Sequence, residues 1–63
     1  KRIIALATGA DDARVEAAFE AADRHVKTAI VMLLAGADAA RARRLLREAD
    51  GFVQRALELH RAE

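Results

Sequence analysis

Cysteine, proline, serine, tyrosine and tryptophan are all absent from this chain, and its only aromatic residues are Phe19 and Phe52. Without cysteine there are no disulfides and no thiolate chemistry. Without serine, Thr8 and Thr28 are the only hydroxyl groups, and no glycine-rich phosphate loop is present. No apolar stretch approaches the roughly 20 residues that a bilayer-spanning helix needs. Lys1-Arg2 is followed by too few apolar residues to read as a signal peptide. Neither sign of charge dominates. Eleven basic against ten acidic residues leave a net charge of +1, a balance that points neither to nucleic acid nor to an anionic membrane. The chain has no initiator methionine and starts directly in an apolar pattern, as expected of a piece of a longer protein.

What remains is helical material. Of 63 residues, 54% are hydrophobic, and alanine, leucine, arginine and glutamate predominate over β-branched residues. One domain is the most this length supports, near the lower limit for independent folding. Its larger apolar side chains can sustain a core of small net stability, and such a domain often docks on something else. The three glycines, Gly9, Gly36 and Gly51, divide the pattern. "RIIALATG" predicts a short helix with Ile3, Leu6 and Ala7 on one side and Gly9 as a left-handed cap. "DDARVEAAFEAAD" predicts a second helix, capped by Asp11 or Asp12, with Val15, Ala18, Phe19 and Ala22 on an inward stripe. A third runs from Arg24 or His25 to Ala35. Val26, Ala29, Ile30 and Leu33 form one face, and Val31 and Leu34 widen it until Ala29–Leu34 is apolar all round. That is the pattern of a central helix touched by neighbours on several sides.

The fourth helix is expected from Asp38 to about His60. Its stripe is Ala42, Leu45, Leu46, Ala49, Phe52 or Val53, Ala56, Leu57 and His60, and it keeps helical spacing through Asp50-Gly51. A glycine inside a helix costs about 1 kcal/mol relative to alanine, which favours a bend there over a full break and leaves both open. No internal repeat, linker or low-complexity tract is apparent. The fold class is all-α, a single domain over residues 1–63: a three-helix core over 3–35 extended by a long fourth helix over 38–60.

The polar residues read mostly as a solvated surface. Arg41, Arg43, Arg44 and Arg47 cluster near the start of the fourth helix, with Arg44–Glu48 and Arg47–Asp50 at pairing distance along it. No aromatic stacks beside them, so no nucleic-acid partner is expected. His25 and His60 fall at helix ends and lack the spacing of a metal pair, so neither metal nor cofactor is expected. The carboxylates sit at caps and on polar faces, and no catalytic pair is expected. An interface is the remaining role. The fourth helix's stripe is longer than a three-helix core can cover, which makes Leu46, Phe52, Val53 and Leu57 the candidate packing residues.

Two family resemblances fall on these residues. "ALATGADDARVEAAFEAADRHVKTAIVMLL", within residues 3–35, resembles a ubiquitin-associated (UBA) domain. That likeness implies a three-helix bundle and, as an alternative function, a protein-binding module docking through its first turn and the end of its third helix. The Met-Gly-Phe/Tyr contact segment of that family is Thr8-Gly9-Ala10 here, so ubiquitin itself is not an expected partner. Arg24-His25 replaces the usual Gly-Asn before the third helix. Over residues 2–58, "RIIALATGAD" and "VKTAIVMLLAGADAARARRLLREADGFVQRALE" resemble the C-terminal end of N-acetylmuramic acid 6-phosphate etherases. The resemblance implies a cytoplasmic, bacterial, dimeric lyase of peptidoglycan recycling. Such an enzyme cleaves the D-lactyl ether to give N-acetylglucosamine 6-phosphate and D-lactate. The family's catalytic carboxylates lie in a sugar-isomerase (SIS) domain that this chain lacks, so no catalytic residue is carried over. The implied role is a non-catalytic, UBA-like helical domain packing on the SIS domain or the partner subunit.

Overall fold

The computed structural model describes all residues, 1–63, and contains five helices and no strand. They are α1 (Arg2–Thr8), α2 (Asp12–Ala21), α3 (Val26–Ala35), α4 (Ala39–Glu48) and α5 (Val53–Ala62). The expected all-α class holds, with about three quarters of the chain helical. No helix is long and apolar enough to cross a membrane.

The helix boundaries follow from local chemistry. Asp11 and Asp38, both extended, accept hydrogen bonds from the amides of Arg14 (2.9 Å) and Arg41 (2.8 Å), which satisfies one otherwise unpaired donor in each first turn. Gly9 and Gly36 close α1 and α3 in the left-handed conformation.

The single helix expected from Asp38 to His60 is instead two helices. Asp50 (φ 56°) and Gly51 (φ 84°) are consecutive left-handed residues. The Gly51 amide donates to the Leu46 carbonyl at 2.8 Å and the Phe52 amide to Ala49 at 3.1 Å, which stops α4 and reverses the chain. Burial explains why a break wins over a bend. A straight helix over residues 39–62 would run about 35 Å at 1.5 Å per residue. It would outreach a molecule whose longest dimension is 29 Å and strand its far end in water. The reversal instead lays α5 back on α3 and α4, with Ala49 and Ala56 both fully buried.

The same reversal joins α2 to α3. Asp23 (φ 55°) and Arg24 (φ 63°) are left-handed, the Arg24 amide donates to Phe19 at 2.8 Å, and the His25 amide donates to Ala22 at 3.1 Å. α4 begins and ends 27 residues after α2, and α5 begins and ends 27 residues after α3. Gly9-Ala10-Asp11, Ala13-Arg14, Ala22-Asp23, Val26 and Ala29 recur at that offset as Gly36-Ala37-Asp38, Ala40-Arg41, Ala49-Asp50, Val53 and Ala56. The chain is therefore a tandem of two helix pairs, which corrects the expectation of no internal repeat. Five of the nine recurring residues lie at caps and turns, where backbone geometry restricts the choice, and Ala29 and Ala56 recur where helices meet closely. Core bulk is redistributed instead, with Val15, Ala18 and Phe19 standing where Ala42, Leu45 and Leu46 stand one unit later.

The core lies in two clusters on either side of α3. One holds Ile4, Val15, Ala18, Ala22, Ala29 and Ile30; the other holds Val31, Ala42, Leu45, Leu46, Ala49 and Ala56. This accounts for the all-round apolar run Ala29–Leu34, since α3 packs against all four other helices. Buried alanines from α2 to α5 let the helices approach closely. Thr28, also buried, has its hydroxyl 2.6 Å from His25 Nδ1 and so leaves no unpaired polar atom. α1 departs from expectation. Of its large apolar residues only Ile4 points inward, with Ala5 half-buried beside it, whereas Ile3 is 65% and Leu6 80% exposed. With seven residues, α1 reaches the core by a single ridge.

Candidate functional site

The four candidate packing residues do not form one exposed stripe. Leu46 is buried in the second cluster. Val53 is half-buried against both clusters, and Leu57 is half-buried on α5. Only Phe52 projects, 60% exposed, with the Arg55 guanidinium 5.4 Å from its ring centroid. Because the chain reverses at Gly51, the stripe that a straight helix would present to a partner is folded inward. The other exposed large apolar residues are Ile3, Leu6 and Leu34. For Ile3 the sequence carries a signal: Ile3 and Ile4 are adjacent on a short helix and point about 100° apart, so one neighbour does not cover both equally.

The polar candidates are occupied within the fold. Arg41 and Arg44 converge on the Glu63 carboxylate, Arg44 at 3.1 Å, which ties α4 to the end of α5. Arg43 lies 3.8 Å from the Asp23 carboxylate across the two helix pairs. Of the pairs expected along the helix, Arg44–Glu48 is replaced by the contact between Arg44 and Glu63, and Arg47–Asp50 does not form. Folding α5 back brings Glu63 closer to the arginines than any same-helix partner. All these groups are at least a third exposed, so each pair contributes at most about 1 kcal/mol. Glu63→Gln, which removes the charge from two such pairs, is accordingly expected to cost no more than about 2 kcal/mol. The difference from the parent should shrink as salt rises in urea titrations.

The largest surface concavity is a shallow groove between the two left-handed turns, with Asp23 and His25 on one wall and Arg43, Arg47 and Asp50 on the other. Opposite charges face one another across it, so it favours neither an anion nor a cation. Lys27 Nζ donates to the Gly51 carbonyl at 3.1 Å and clamps the second turn to α3. His25 is engaged with Thr28, and His60 lies 3.3 Å from an Arg41 nitrogen. The two histidines are thus on different elements, held by different partners. Asp11 and Asp38 serve as caps. What these groups do in common is hold helix ends and turns in register.

Fold and surface together define a small all-helical domain made of a short first helix and two stacked helix pairs. In sequence it is 48% identical over 58 residues to the N-acetylmuramic acid 6-phosphate etherase of Geobacillus sp. (strain WCH70). The match takes in 92% of this chain, and the chain spans about a fifth (20%) of the length of that relative. No family model matches the chain, and no solved structure does.

Proposed function

We propose that this chain is a non-catalytic helical domain from the C-terminal end of an N-acetylmuramic acid 6-phosphate etherase. Its role is to pack against the enzyme's catalytic domain or partner subunit. The observation that carries this reading is the 48% identity sustained over 92% of the chain to one fifth of such an enzyme. The distribution of side chains supports it. Polar groups are spent on caps, turns and inter-helix pairs, while large apolar residues remain on the surface. On this reading the parent cleaves the D-lactyl ether of its sugar phosphate with residues outside this segment, and this segment helps to order the assembly.

Phe52 supplies the test, because it is the candidate packing residue that can be changed without wounding the core. Phe52→Asp in the full-length polypeptide is expected to weaken subunit association several-fold in sedimentation and to lower turnover of the sugar phosphate with it. The isolated 63-residue chain is expected to release no D-lactate. Unaltered assembly and turnover in the variant would count against the packing role. Lactate release by the isolated chain would refute the non-catalytic reading.

A further inference from the structure

The helix repeat shows how each helix pair treats the side it turns outward. In α3 one side carries Ala29 and Ile30, buried in the first cluster with α1 and α2, together with half-buried Leu33. Its other side carries Val31, buried in the second cluster with residues of α4 and α5. One unit later, in α5, Ala56 and Leu57 take the places of Ala29 and Ile30 and pack. Thr28 and Val31 are replaced by Arg55 and Glu58, both exposed. A stack of repeats ends on a more polar face, and the Arg55–Glu58 side of α5 is more polar than its counterpart in α3, with Phe52 the one large apolar residue beside it.

One unit earlier, α1 stands where the last seven residues of α3 stand, and Gly9 takes the part of Gly36 as its left-handed cap. Ile4 replaces Val31 and is likewise fully buried. Ile3 and Leu6 replace Ile30 and Leu33, yet they are 65% and 80% exposed. One end of the stack is the more polar, and the other presents isoleucine and leucine to water. α1 is built as the second helix of a pair whose first helix would cover Ile3 and Leu6.

We infer that the Ile3–Leu6 face of α1 seats a further helix of the same polypeptide, standing to α1 as α2 stands to α3. The occupant's chemistry follows from the repeat. It is an amphipathic helix with small and apolar residues at the spacing of Val15, Ala18, Phe19 and Ala22. It joins α1 through a left-handed turn like Ala22–His25. The etherase relative has ample length for it, since this chain matches 20% of that protein. A second copy of the chain is the poorer occupant, because α3 and α5 are each covered by the helix that precedes them in the chain, α2 and α4. The inference rests on the repeat and, for the longer polypeptide that would supply the helix, on the etherase reading; the graft tests the first without the second.

The test grafts a copy of residues 9–27 onto Lys1, in the register in which Lys27 precedes Thr28. Thermal unfolding of the 63-residue chain and of the graft is then followed by circular dichroism, with and without Ile3→Gln and Leu6→Gln. The graft is expected to raise the midpoint by several degrees, and the two substitutions are expected to abolish that gain while leaving the ungrafted chain unchanged. The same pair of substitutions in the full-length polypeptide should lower its midpoint by several degrees. A graft without gain, together with an indifferent full-length variant, overturns the inference. Sedimentation showing that the ungrafted chain dimerises, and that Leu6→Gln dissolves the dimer, overturns it in favour of a second copy.

Discussion

Leu45→Ala is expected to cost about 2–5 kcal/mol, the range for removing most of a buried leucine. A domain of this size has a total stability near the low end of about 5–15 kcal/mol, so the variant should keep at most about 3 kcal/mol and unfold at a much lower urea concentration than the parent. Leu45 is fully buried in the second cluster, between α4 and residues of α3 and α5, and its loss leaves a hole that the small alanines around it cannot close. Leu6→Ala is the comparison that gives the number meaning. The residue type and the nominal change are the same, but Leu6 is 80% exposed, and the expected cost is within about 0.5 kcal/mol. Urea titrations of both variants by circular dichroism at 222 nm read the difference directly. Equal costs at the two sites would mean that α1 does not meet the core through Ile4, and the inference about its outer face would fall with that.

Leu6 also shows where the sequence stops being informative. The apolar spacing of Ile3, Leu6 and Ala7 is a sound helical stripe, yet spacing says only that residues share a side, not which side meets a neighbour. In a helix of seven residues one ridge suffices, and Ile4 takes it. Longer helices were legible because several turns must agree. Asp11 and Asp38 cap where expected, Gly36 ends α3, and the all-round apolar run is the central element. The packing residues were only partly legible for the same reason. Leu46, Val53 and Leu57 keep helical spacing with Phe52, and a reversal between them leaves that spacing intact while turning three of the four toward the core. The tandem repeat escaped because its marks are scattered small residues and caps, while the bulky side chains that catch attention are exchanged between units. Phe19 and Leu46 occupy equivalent positions, as do Ala18 and Leu45.

The reversal at Gly51 supplies the second large expected effect, one whose sign separates two structures. Were residues 39–62 one continuous helix, Gly51→Ala would replace the second-worst helix former with the best and gain about 1 kcal/mol. In the structure Gly51 has φ 84°, and a Cβ placed there meets nothing within 4 Å, so the only cost is torsional. A side chain in the left-handed region costs roughly 1–2 kcal/mol, and Gly51→Ala is expected to lose about that much. The repeat supplies the mirror experiment. Arg24 holds the equivalent turn position at φ 63° with a side chain that gains little there, an exposed pairing with Glu20 at 3.5 Å. Arg24→Gly should therefore gain up to about 1 kcal/mol, part of the relief being lost to the flexibility glycine adds to the unfolded chain. Opposite signs at two positions 27 residues apart, measured by thermal unfolding, follow only if both turns share one backbone conformation. A stabilised Gly51→Ala would restore the continuous helix. It would put Phe52, Val53 and Leu57 back on one exposed stripe, so that Phe52 would pack as part of a continuous face rather than as a single projecting side chain.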